Sequence, residues 1–340
     1  MKNVIMIVSV IMLLVPEIAY CTRAIDRCRQ NLDGVCYFAN KDGITIASSN
    51  RSSNSPFPRN LICKNGQVSP TLYVGSFDGS RFALICISSS VQTFGNGCFG
   101  NCPNLSIVAF ESNSQLTRIS DHAFRSCSSL KSVCFPASLQ TIGGNCFKEC
   151  RSLSCVTFAL GSRLARLPEC TFDGCSSLRS ICIPSSLQAI GNWCFQDCGS
   201  LSILMFESVP RLQIIGAGAF SGSALESICL PSSLRTIGGG CFLLCRNLSV
   251  VEFEPGSKLR TIEDFAFGDC AALKSICIPS SVERLGPRCF GSTPLTTRLN
   301  PTAGLSSIVF EPSPQPITIG KDTIPAGVTI DANDRPLVRR

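Results

Sequence analysis

Four short stretches of this chain carry the same pair of cysteines around a phenylalanine: Cys98/Cys102, Cys146/Cys150, Cys194/Cys198 and Cys241/Cys245, each reading C-F-x-x-C. Thiols at that spacing can hold a tetrahedral zinc, close a disulfide, or act as a nucleophile beside a base. The metal reading asks for paired clusters, often completed by histidine. Here the pairs recur in phase along the chain and flank a phenylalanine each time, a recurrence that packing produces and a single metal centre does not. A Cys/His hydrolase would have to use His122, the chain's one histidine, with Cys127 or Cys146 and a third group to orient it. Both of those cysteines belong to recurring columns. One histidine against twenty-three cysteines is also a poor composition for acid–base catalysis. No nucleophile elbow, P-loop, dinucleotide fingerprint or zinc-protease helix occurs. The expectation is a protein that is not an enzyme, with no catalytic, cofactor-binding or metal-binding residue.

The elements that place these cysteines form a long internal repeat. Ten phenylalanines recur in one phase, Phe77, Phe99, Phe124, Phe147, Phe172, Phe195, Phe220, Phe242, Phe267 and Phe290, and from Phe99 the steps alternate 25 and 23 with one of 22. From Phe99 on, five residues before each stands Phe94, Ile119, Ile142, Leu167, Ile190, Ile215, Ile237, Ile262 or Leu285, and eight before stands a leucine or valine. After each comes L-x-x-[IV]-x-[IF], as in Leu130/Val133/Phe135 and Leu178/Ile181/Ile183. A short strand with alternate residues inward, closed by a Pro-Ser or Glu-Pro-Gly turn, gives that spacing. No such turn can bury its apolar face alone, so the turns must stack as a solenoid, poor in helix and mostly β, with long and short coils alternating.

Each cysteine column then acquires a place. One position before the phenylalanine, from Phe99 on, the chain accepts only Cys, Ala or Thr (Cys98, Ala123, Cys146, Thr171 and onward), a small side chain in a packed interior. Cysteines of that column lie two coils apart, roughly 10 Å, beyond the ~7 Å reach of a disulfide. Three positions after the phenylalanine, Cys102, Cys127, Cys150, Cys175, Cys198, Ser223, Cys245 and Cys270 fall on consecutive coils. Stacked parallel side chains give poor disulfide torsions, so a ladder of buried thiols is favoured, with disulfides the alternative that secretion would permit. The third column lies within the strand, between the two inward residues. Alternation points it outward, and with its neighbour two places earlier it defines a face bearing Ile107, Ala109, Cys134, Cys155, Thr157, Cys182, Ile203, Met205, Cys229, Val250, Glu252 and Cys277. An apolar stripe of that extent marks an interaction surface. A register one residue different would bury it instead.

The segment SLRSICIPSSLQAIGNWCFQDCGSL, residues 177–201, resembles the leucine-rich repeat of the BspA-like surface proteins, also called the Treponema pallidum type. The resemblance covers about residues 71–293 in ten copies, and LSSIVFEP near the C-terminus echoes it. It implies a right-handed curved superhelix of short strands and turns, with recognition on a concave sheet, and cell-surface adhesion or partner binding. The many added cysteines and the flanking segments depart from the family pattern.

Outside the repeat, Lys2, the apolar run Val4–Val15 and Ala19-Tyr20-Cys21 read as a secretory signal over residues 1–21, and Pro16-Glu17 ends the run too early for a membrane anchor. Residues 22–70 read as an N-terminal cap and linker with Cys28 and Cys36 as a disulfide pair, residues 71–293 as the solenoid, and 294–340 as a C-terminal capping segment and tail. A net charge of +7 without basic runs interleaved with aromatics argues against nucleic acid. The sequence therefore predicts a secreted or cell-surface leucine-rich repeat protein without a membrane span in its mature form, which binds extracellular or surface proteins and needs no cofactor.

Overall fold

The computed structural model describes residues 36–40, 43–47, 71–111 apart from 73, 82, 88 and 90, 113–291, and 304–339. The signal-peptide reading of residues 1–21, the linker and Cys28 lie outside the described residues, and the side chain of Cys36 does as well. The chain divides into two compact units, Met1–Leu164 and Ala165–Arg340. In both, the repeat folds as coils of a parallel β-solenoid, each coil holding one strand of about four residues and one of two, with no helix among the described residues.

In the first unit a hairpin, β1 (Cys36–Asn40) and β2 (Gly43–Ala47), leads into β3 (Thr71–Leu72), β4 (Leu84–Ile87), β5 (Thr93–Phe94), β6 (Ile107–Phe110), β7 (Arg118–Ile119), β8 (Ser132–Phe135), β9 (Thr141–Ile142) and β10 (Cys155–Phe158). β1 pairs antiparallel with β2 and parallel with β4, which continues to β6, β8 and β10. The two-residue strands make a second ladder, β3–β5–β7–β9. The second unit continues the alternation with β11 (Arg166–Leu167), β12 (Ser180–Ile183), β13 (Ala189–Ile190), β14 (Ile203–Phe206), β15 (Ile214–Ile215), β16 (Ser227–Leu230), β17 (Thr236–Ile237) and β18 (Val250–Phe253). It closes with β19 (Thr261–Ile262), β20 (Ser275–Ile278), β21 (Arg284–Leu285), β22 (Ser307–Phe310), β23 (Ile317–Ile319), β24 (Thr329–Asp331) and β25 (Leu337–Arg339).

Burial fixes the strand register. Val133 and Phe135, Ile181 and Ile183, and Ile276 and Ile278 are buried, as are the leucines three residues before each pair. The phenylalanine column is the spine. In the first unit Phe77, Phe99, Phe124 and Phe147 stack with centroids 5.1 Å apart. In the second, Phe172, Phe195, Phe220, Phe242, Phe267 and Phe290 stack at 5.2–5.8 Å, with rings within 13° of parallel. Burying one such side chain contributes roughly 1.5–3 kcal/mol, and each favourable ring pair about 0.5–1.5 kcal/mol more.

The alternation of long and short coils reappears in the hydrogen bonding. In the second unit the longer strands form separate ladders, β12–β14, β16–β18 and β20–β22–β24, while β11, β13, β15, β17, β19, β21, β23 and β25 form one continuous ladder. A short coil and the long coil after it thus make a dyad, and the Pro-Ser-Ser turn explains how. The first serine donates its N–H to a glutamate that follows the next strand: Ser185 to Glu207 at 2.9 Å, Ser232 to Glu254 at 2.8 Å and Ser280 to Glu311 at 2.8 Å. The second reaches the other way, its hydroxyl donating to a leucine carbonyl of the preceding coil, Ser233 to Leu212 at 2.7 Å and Ser281 to Leu259 at 2.8 Å. Ser89–Glu111 and Ser138–Leu116 repeat both contacts in the first unit.

Coils approach closely at one column of glycines. A Cβ at Gly143 would overlap the backbone of Ser120 and Asp121 in the coil before it, and one at Gly286 the backbone of Glu263 and Asp264. At the C-terminal end the buried Arg335 donates to the carbonyls of Gln315, Pro279 and Val282.

Candidate functional site

The thiol ladder has a role beyond filling space. In the first unit the Sγ of Cys102, Cys127 and Cys150 donates to the carbonyl of the phenylalanine one coil earlier, Phe77 at 3.1 Å, Phe99 at 3.0 Å and Phe124 at 3.1 Å. In the second unit Cys198, Cys245 and Cys270 do the same to Phe172 at 3.3 Å, Phe220 at 3.2 Å and Phe242 at 3.2 Å. Most of these carbonyls also accept a backbone N–H within their own coil, as Phe124 does from Cys127 at 3.2 Å and Phe242 from Cys245 at 3.2 Å. The carbonyls of Phe77, Phe124, Phe172, Phe220 and Phe242 thereby use both lone pairs, one within the coil and one between coils. Ser223, which takes the cysteine's place between Cys198 and Cys245 in the column, places its hydroxyl 3.2 Å from the Cys245 sulfur. These cysteines are free thiols. Burial holds Cys198 and Cys270 protonated and pushes Cys150 up to about 12 and Cys245 to about 11, and it raises Cys98, Cys194 and Cys289 in the neighbouring column further. Cys102 is the exception, lowered by its hydrogen bond with the Cys127 thiol. A thiol kept neutral and donating to a carbonyl is a structural group, since the thiolate is the nucleophile and the metal ligand.

His122 stands two residues before its phenylalanine, in a column that holds Asn145, Cys170, Trp193, Phe265 and Arg288 on other coils and so looks unconstrained by residue type. The backbone there is instead fixed in the left-handed region on every coil: φ is 59° at His122, 51° at Cys170, 54° at Trp193, 55° at Phe265 and 51° at Arg288, with Gly97, Gly218 and Gly240 in the same conformation. Side chains vary because they leave the stack, while the backbone does not vary at all. The His122 Nδ1 is buried without a hydrogen-bond partner, and no thiol donates to it among the described contacts. Trp193 lies over Gly218, whose missing Cβ leaves room for the indole, and remains 45% exposed.

The outward strand positions behave differently in the two units. In the first, Ala109 and Cys155 are buried, and Ile107, Cys134 and Thr157 are half-buried. In the second, Met205 is buried, Cys182 and Ile203 are half-buried, and Cys229, Val250, Glu252 and Cys277 are exposed. β16 and β18 pair in register and set Ser227 beside Val250 and Cys229 beside Glu252. Val250 is 43% exposed on this strand while Val251, next to it, is buried. The thiols of Cys229 and Cys277 are raised above their ordinary value by partial burial and then by carboxylates, Glu254 and Glu252 in the first case and Glu311 in the second. Glu207 adds to burial in the same way at Cys182, pushed up to about 11.

Sequence reasoning found the two interior columns; of the twelve strand positions it expected to face outward, Cys229, Val250, Glu252 and Cys277 are exposed, while Ala109, Cys155 and Met205 are buried because the neighbouring coils cover them. It did not find the sulfur-to-carbonyl bonds or the Ser–Glu clamps of the dyads. A signal for the clamp is visible in retrospect: F-E follows the long-coil strand at Glu111, Glu207, Glu254 and Glu311, each of them one coil after a serine turn.

A family profile described as the BspA type leucine rich repeat region matches six copies, over residues 69–179, 92–214 and 165–296. Among solved structures the chain is similar to the pneumococcal vaccine antigen PcpA, at 20% identity over 79% of this chain and 84% of that one with a TM-score of 0.48. It is also similar to a leucine rich cell surface protein from Faecalibacterium prausnitzii A2-165, at 20% identity over 77% and 82% with a TM-score of 0.40. The Treponema pallidum leucine rich repeat protein shares 21% identity over 67% and 85%, with a TM-score of 0.39. No curated protein matches the chain. Among the described residues no helix is long and apolar enough to cross a membrane.

Proposed function

The chain belongs to the BspA-type leucine-rich repeat family, and from that premise we propose that it is a secreted or cell-surface protein that works by protein–protein binding, in adhesion or cell interaction, through the outward face of its strands. One observation carries this reading: Val250 exposes an apolar side chain beside the charged Glu252, on a strand whose alternate residue Val251 is buried. The fold requires the inward residue and not the outward one, so the outward one is available to a partner. The raised pKa values at Cys229 and Cys277 favour recognition over thiol catalysis, because a protonated thiol is a weak nucleophile.

The test is binding of the secreted protein to intact cells and to immobilised extracellular-matrix proteins, compared with Val250→Asp and Ile203→Asp variants whose unfolding is unchanged. A partner whose binding saturates for the native protein and falls at least tenfold for both variants supports the proposal. Saturable binding that neither variant disturbs places recognition elsewhere. No saturable binding to any surface fits a passive envelope or matrix component instead.

A further inference from the structure

The most open part of the face is the β16–β18 dyad, where the exposed residues are neither all apolar nor electrically neutral. Over the outward positions of β12, β14, β16, β18, β20, β22 and β24, the only charged residues are Glu252 and Asp331, both carboxylates. Just past the strand ends stand Glu207, Glu254 and Glu311, each using Oε2 to accept a serine N–H and so fixed beside the face. The chain as a whole carries +7, so this sign is local and opposite to the molecule's net charge. Among the described residues the second unit's ion pairs, Arg260–Glu283, Arg284 with Glu263 and Asp264, and Arg288–Asp322, involve none of these face carboxylates, although Glu311 acts on the buried Arg335. The thiols on either side report the same field, being raised partly by those glutamates.

We propose that the outward face of β16 and β18 docks an extended protein segment in which a lysine or arginine pairs with Glu252 while an apolar residue two positions away settles on Val250. This rests on the binding-face reading above and gives the partner its chemistry. In an extended segment, residues i and i+2 point one way, about 6.8 Å apart, which is the spacing of Val250 and Glu252 along β18, and an apolar residue on both sides of the cation lets the segment dock in either chain direction. A carboxylate at the central position would meet Glu252 and Cys229 under the influence of Glu254, a like-charge juxtaposition that excludes it. The pairing between two partly exposed charges is screened by salt, with a Debye length of ~8 Å at physiological ionic strength.

The probe is a seven-residue peptide, Ser-Leu-Ser-Lys-Ser-Leu-Ser, blocked at both ends and labelled for fluorescence polarisation, beside a second with Glu in place of Lys and a third with Ser in place of both Leu. The full-length secreted chain should bind the first at least tenfold more tightly than either control, and the preference should shrink as salt rises. Glu252→Lys, with unfolding unchanged, should reverse the preference toward the Glu peptide. Equal binding of the Lys and Glu peptides, no binding of any, or a Lys preference that survives Glu252→Lys overturns the proposal. A cell or matrix partner lost in Val250→Asp but indifferent to Glu252→Lys would leave the binding face standing and remove its charge rule.

Discussion

Cysteine appears twice on the same coils under opposite conditions. Inside, Cys150, Cys198 and Cys245 recur with almost no tolerance for other residues, and each hangs from a phenylalanine carbonyl of its neighbour. On the strand face, Cys182, Cys229 and Cys277 share their column with Ala109, Thr157, Met205 and Glu252. The interior column is uniform because every coil asks the same of it, a small donor aimed at a carbonyl. The face column varies because the fold asks only that the strand alternate. In a repeat protein, uniformity therefore reports stacking, and freedom from it reports where a partner can be chosen.

The contrast breaks most visibly at the spine. Phe220→Ala removes a fully buried ring stacked between Phe195 and Phe242, and should cost about 3–5 kcal/mol, read as a lowered midpoint of denaturant unfolding. Next comes pH. The ordinary thiol value is 9.0, and burial raises Cys150 to about 12 and Cys245 to about 11. Above the unfolded value the unfolded chain gives up these protons while the folded chain keeps them. The stability is thus fully present below pH 9.0 and is lost as pH rises toward 11 and 12. The melting temperature should fall across that window, and less steeply in Cys245→Ser.

A smaller effect separates volume from hydrogen bonding in the ladder. Cys198→Ala leaves the Phe172 carbonyl with one bond fewer and a small void, costing about 1–3 kcal/mol. Cys198→Ser keeps a donor, as Ser223 does naturally in the same column, and should recover a measurable part of that loss. On the face the effect should nearly vanish. Val250→Asp exchanges one exposed side chain for another and should change stability by no more than ~0.5 kcal/mol.

The same distinction explains what the sequence made legible. The columns at Phe99, Ile119 and Leu130 are set by burial, which writes itself into residue type, so the coil, its strand and the inward register could be read directly. Residue type does not record where a thiol points, so the Cys127–Phe99 bond stayed hidden although the column was plain. Backbone conformation was hidden for a related reason. Trp193 and Phe265 occupy left-handed positions usually given to glycine or asparagine, so their column looked unconstrained when only its side chains were. Exposure along the face could not be read at all: Ala109 and Cys229 obey the same alternation, yet one is buried and the other open.

Native-state alkylation with a neutral reagent such as iodoacetamide, followed residue by residue by mass spectrometry, tests the division most directly. Cys229 and Cys277 should be modified in the folded protein, while Cys150, Cys198 and Cys245 stay unmodified until denaturant unfolds the coils and then react as free thiols. Interior cysteines that react as fast as Cys229, or that are found joined as disulfides in the native protein, would contradict it.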